Sequence, residues 1–83
     1  MNDFDGRTYD PDRDRERLTK QLTTVRRAMS DHEWHTLYAL SLTTLAPEAS
    51  VSARLRDLRK AKHGGHTIER RYMGGGLWEY RLV

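Results

Sequence analysis

The 83-residue chain contains no cysteine, which excludes a disulfide framework, a thiolate metal site and a thiol nucleophile. No apolar run approaches the ~18 residues that a membrane span needs. The first ten residues, MNDFDGRTYD, carry no apolar signal segment. The expectation is a cytoplasmic protein with no membrane partner. Catalytic signatures are missing too. The longest glycine run, Gly74 to Gly76, precedes a strand-like stretch and is not followed by Lys-Ser/Thr, so it is no phosphate loop. No Ser/His/Asp spacing suggests a nucleophile. The acids crowd into the first 16 residues, where six of the twelve lie. A non-enzyme without cofactor or small-molecule substrate is expected, in one domain with a small core.

Charge is present but uneven. Residues 1–16 carry −3, residues 17–45 carry +2 and residues 46–83 carry +4. The cationic half favours a polyanionic partner. Composition alone leaves DNA, RNA and an acidic protein open.

That half contains Ala46 to Lys62, around which the rest is organised. Val51, Leu55 and Leu58 recur at i, i+4 and i+7, one face of a helix. The opposite face carries Ala49, Ser52, Ala53, Arg56 and Lys60, with Ser50 and Asp57 at its edge. Small residues admit close approach, hydroxyls offer hydrogen bonds and guanidinium groups reach further. Two readings stand: a helix suited to a DNA major groove, or a solvated face short of long side chains.

The remaining elements follow in order. Residues 1–10 read as a mobile acidic tail and residues 11–83 as the folded domain. Asp10 and Pro11 suit the N-cap and first position of a helix over 11–29, with an apolar stripe of Leu18, Leu22, Val25 and Met29. Arg26 and Arg27 suit that helix's C-terminal end. Trp34-His35-Thr36 predicts a very short strand, and Thr36 caps a second helix over 37–44 with Leu37 and Leu40 inward. After a turn at Leu45-Ala46, Pro47 opens the third helix, 47–62, ahead of Gly64-Gly65. Residues 66–72 and 77–82 predict a hairpin joined by Met73 to Gly76, with Trp78, Tyr80 and Leu82 on its buried face. Arg70 and Arg71 then fall on opposite faces, leaving at least one free. Trp34, Trp78 and Tyr80 could stack on bases but are expected in the core. His32/His35 and His63/His66 have HxxH spacing but fall at element boundaries without the pattern of a strong zinc motif, so no metal is expected.

Helix, short strand, helix, turn, helix and a Gly-tipped hairpin: this order resembles the winged helix-turn-helix family, an α+β fold. The residues that carry it are Trp34-His35-Thr36-Leu37, the stretch from Pro47 to Arg59 with its Ser-Val-Ser run, and the strands from Gly65 to Arg71 and Gly76 to Leu82. It is especially similar to small members encoded by phages and mobile elements, over roughly residues 33–83. One departure is Leu45, where the corner often has glycine. The resemblance implies sequence-specific binding of double-stranded DNA by a transcriptional regulator, such as a repressor, or a phage accessory factor. Ser50 and Ser52 would supply hydroxyl contacts and Arg56 a guanine or phosphate contact. Lys60 and Lys62 would lie near phosphates, and Ala49 and Ala53 against thymine methyls. The wing, residues 71–77 with Arg71, Gly74 and Gly75, would meet the backbone or minor groove. Arg54 is expected in a structural ion pair. A homodimer through helix 11–29 would double the contact. The alternative function is a winged helix that docks protein and not DNA.

Overall fold

The computed structural model describes the backbone from residue 11 to 83 and side chains from residue 15 onward. The expected tail and the Asp10 cap lie outside the described residues. Three helices come first: α1 (Pro11–Ala28), α2 (Leu37–Thr44) and α3 (Glu48–Leu58). A two-residue strand, β1 (His35–Thr36), precedes α2, and β2 (Ile68–Gly74) and β3 (Leu77–Leu82) close the chain. The sheet is antiparallel in the order β1-β3-β2. This is an α+β layout consistent with a winged helix.

The apolar spacing accounts for the core. Val51, Leu55 and Leu58 of α3 pack with Val25 and Met29 from α1 and its end, Leu40, Ala46, Ile68 and Leu82, all buried. Leu22 and Leu37 pack against this cluster, whereas Leu18, first in the α1 stripe, stays 43% exposed. No buried polar residue interrupts the core among the described residues.

At the corner between α2 and α3 local chemistry dominates. Thr36 caps α2, its hydroxyl accepting from Ala39 N at 3.0 Å. Leu45 ends it in the left-handed region, at φ 61°, with its N–H bonded to Ser41 O at 2.9 Å. The Ser41 hydroxyl donates to Ala46 O, holding the turn. The departure from glycine thus sits at the one corner residue whose backbone favours glycine. Leu45 is also 91% exposed, so its side chain contributes almost no packing. Removing a left-handed side chain gains ~1–2 kcal/mol, and the added glycine entropy offsets ~0.5–1 of that. Leu45→Gly is therefore expected to stabilise the fold by about 0.5–1 kcal/mol, read as a melting point a few degrees higher. A lower melting point would mean that Leu45 makes contacts its exposure does not reveal.

Several boundaries differ from the sequence reading. Pro47 is the N-cap of α3 and not its first residue, and it supplies no side-chain hydrogen bond. The helix stops at Leu58, not 62. Lys60 turns extended, and Ala61–His63 form a separate 3₁₀ turn ended by Gly64 at φ 105°. The returning chain supplies the stop: Gly65 N reaches Lys60 O at 2.9 Å and His66 N reaches Leu58 O at 2.8 Å. At the wing tip, β2 runs to Gly74, leaving Gly75 and Gly76 as a two-residue turn. Their φ values of 60° and 80° match the mirror-image turn that suits strand twist. Trp78 is another correction. It remains 37% exposed because it lies toward the wing tip, beyond the core that receives Leu82 and the half-buried Tyr80.

Candidate nucleic-acid interface

α3 presents the face opposite Val51, Leu55 and Leu58, but its side chains divide between two depressions. Ala49, Ser50 and Ala53 line an open groove toward α1, with Arg17, Leu18, Gln21, Pro47 and Arg54. Ser52 and Arg56 line a cleft of about 190 Å³ on the other side, with Leu55, Arg59, Arg70 and Tyr80. Ala49 and Arg56 are exposed; Ser50, Ser52 and Ala53 are half-buried.

The second depression is the more distinctive. Arg56, Arg59 and Arg70 line it together with Ser52, and among the described residues no carboxylate does. Arg59 Nη2 donates to Ile68 O at 3.2 Å, which ties one edge of its guanidinium to β2. Arg70 lies over the Trp78 ring, 4.8 Å from the centroid. The Arg56 side chain has no hydrogen-bond, ion-pair or ring partner among the described residues. Three like charges held beside one another in a concave wall focus a positive field outward.

On the α1 side of α3 the charges are satisfied internally. Arg54 donates to Gln21 Oε1 at 3.1 Å, and its Nε lies 3.0 Å from Asp57 Oδ2, a close ion pair without hydrogen-bond alignment. Arg54 is thus structural. Lys60, one residue into the loop, pairs with Asp57 Oδ1 at 3.1 Å. Lys62 lies on the 3₁₀ turn, and both lysines line a pocket with Arg15, Leu18 and His63.

Asp57 therefore joins α3 to the following loop. Burial alone would raise its carboxyl, but the Lys60 hydrogen bond and the Arg54 charge outweigh it, holding the pKa below the ordinary 3.8. A depressed folded value means that the pairing stabilises the fold fully above the unfolded pKa and ceases to do so as pH falls through the folded one. Asp57→Asn is expected to lower the urea midpoint at pH 7 while flattening its decline below about pH 4. Parallel acid profiles for the two proteins would contradict that role.

The wing places its cations differently from the sequence expectation. Arg71 is directly across from Glu79 and pairs with it at 2.7 Å, while its guanidinium lies 4.3 Å from the Trp34 centroid. Arg81 pairs with Glu69 and covers the same indole at 4.7 Å. The outer sheet face is thus an internally neutralised ladder around Trp34. Arg70, on the face that carries Ile68, opposes Tyr80 and keeps its charge for the cleft. Gly74 and Gly75 are exposed at the tip.

Arg59 and Arg70 are the site residues that sequence reasoning missed. Cross-strand charge matching could have found Arg70, because Glu69/Arg81 and Arg71/Glu79 are complementary pairs and Arg70 is left over. The histidines are used in other ways. His32 Nδ1 donates to Leu82 O at 2.8 Å, and His35 Nε2 donates to Asp31 Oδ1 at 2.8 Å. That bond, and a second from Glu33 N, hold the Asp31 carboxyl below its usual range. Among the described residues no group of three or more metal-ligating side chains comes together.

No family model, curated protein or solved structure matches this chain. Among the described residues no helix is long and apolar enough to cross a membrane.

Proposed function

We propose that this protein binds double-stranded DNA sequence-specifically, with α3 in the major groove and the wing on the backbone or minor groove. It would act in the cytoplasm as a transcriptional regulator or a phage accessory factor. One observation carries this reading: Arg56, Arg59 and Arg70 line one cleft with Ser52 on the flank of α3, with no carboxylate beside them among the described residues. Arginine forks match phosphate oxygens and guanine edges two bonds at a time. The small side chains Ala49 and Ala53 would let the α3 backbone approach the bases.

Selection of bound duplexes from a random pool tests it. A recovered consensus supports specific recognition, and retention of random sequence without enrichment contradicts it. The same experiment bears on stoichiometry. Half-site symmetry would favour a homodimer, although α1 offers little for one: Val25 and Met29 are buried in the protomer's own core and only Leu18 of the stripe remains exposed.

The second reading, a protein-docking module, draws on α2. Tyr38 and Leu42, one turn apart on α2, are 62% and 60% exposed, and Leu45 just past its end is 91% exposed; adjacent apolar side chains of this kind are what helix-in-groove partners use. An association that persists unchanged in high salt would favour this reading over DNA.

A further inference from the structure

Large exposed aromatics lie beside the arginine cleft, and groove recognition leaves them unused. Tyr72 and Trp78 are directly opposed across β2 and β3, with ring centroids 5.1 Å apart and planes tilted by 54°. They continue the face on which Ile68/Leu82 enter the core and Arg70/Tyr80 reach the cleft. Tyr72 is 55% exposed and Trp78 37%. Neither is loose. The Tyr72 hydroxyl accepts the Gly76 N–H at 2.8 Å, and Arg70 sits over the Trp78 indole.

We infer that this pair is a stacking platform for an unpaired base at the edge of the bound duplex. The inference rests on the duplex-binding reading and goes further, naming the nucleic-acid form that this face fits. In an intact duplex each base is covered above and below by its neighbours, so the grooves offer edges and phosphates but no ring face. Arginines can use edges and phosphates. A fixed, half-exposed tyrosine–tryptophan pair has ring surface that an unstacked base covers well, and stacking of this kind tolerates any sequence. Arg70 joins the two surfaces, since its guanidinium contributes to the cleft and lies against the indole. A base unstacked at a duplex end, nick or fork would meet the aromatic pair while its flanking phosphates reach the arginines. A purely structural role would account for the cross-strand contact but not for rings fixed so far out of the core.

The test compares two labelled duplexes of identical sequence, one blunt and one with a four-nucleotide single-stranded extension, titrated with the full chain by fluorescence anisotropy. The expected result is binding about 5- to 100-fold tighter with the extension, accompanied by quenching of tryptophan emission. Trp78→Leu and Tyr72→Leu should each reduce the ratio of extended- to blunt-duplex affinity toward one, whatever they do to blunt-duplex binding itself, while far-UV circular dichroism stays unchanged. Equal affinity for the two duplexes overturns the inference and leaves duplex binding standing. So does a preference that survives both substitutions. Absence of binding to either duplex overturns the duplex-binding reading and the platform together.

Discussion

Replacing Arg56, Arg59 and Arg70 together by glutamine is expected to weaken duplex binding by about 10²–10³-fold at low salt while leaving the protein folded. Hydrogen bonds to charged groups contribute about 1.5–3 kcal/mol each, and contacts sharing one cleft add less than their sum. The three side chains lie on the cleft wall and not in the core; only Arg59 has a hydrogen bond to lose, to Ile68 O. The expected cost to stability is therefore small. Arg26→Gln with Arg27→Gln is the matching control. These exposed residues occupy the last turn of α1, where their charge complements the helix dipole, and their loss should leave affinity nearly unchanged. Equal losses in both variants would mean that total charge, and not the cleft, governs binding. Arg56→Ala alone should weaken the preferred sequence more than random duplex if it reads a base edge, by about 1–3 kcal/mol.

Leu58→Ala has the largest expected effect on stability. Leu58 is 1% exposed and is the last residue of the helix whose stripe anchors α3. Truncating a buried leucine costs about 2–5 kcal/mol through lost transfer energy and the cavity left behind. A domain of this size has only about 4–12 kcal/mol in total, so a sizeable unfolded fraction should appear at moderate urea. Leu42→Ala, at a position 60% exposed, should change the unfolding free energy by no more than about 0.5 kcal/mol. Equal costs at the two positions would contradict the core as described.

Where local chemistry decides, the fold was legible. α2 occupies 37–44 as read, because Thr36 is a side-chain cap and the apolar pattern ends at the corner. The inward stripe of α3 and the position of Pro11 at the start of α1 follow from spacing and from the fixed φ of proline. The end of α3 was not legible. Arg59 to Lys62 carry no stop signal, and the helix ends because the chain folds back to bond Leu58 O and Lys60 O. That reversal turns on Gly64, beyond the 3₁₀ turn, so the glycine pair marks where the chain folds back and not where the helix ends.

The candidate site shows the same division. Outward placement of Arg56 and Ser52 follows from helical periodicity. The choice between Arg70 and Arg71 does not, because a β-bulge decides it. With a Gly75–Gly76 turn and regular pairing, Arg71 would oppose Tyr80. The extra residue Met73, unpaired between Tyr72 and Gly74, shifts the register by one and places Arg71 opposite Glu79. Arg70 is thereby left on the α3 side of the sheet. No propensity or hydropathy pattern marks Met73 as a bulge.

The most direct measurement is the salt dependence of affinity for a duplex carrying the selected sequence. Each phosphate neutralised contributes about 0.9 to the slope of log affinity against log salt. Engagement of Arg56, Arg59 and Arg70 with the backbone predicts a slope of about −2.7 or steeper, made shallower by about 2.7 when the three are replaced. An affinity that stays flat from low to moderate salt would contradict the account and turn attention to the exposed apolar face of α2.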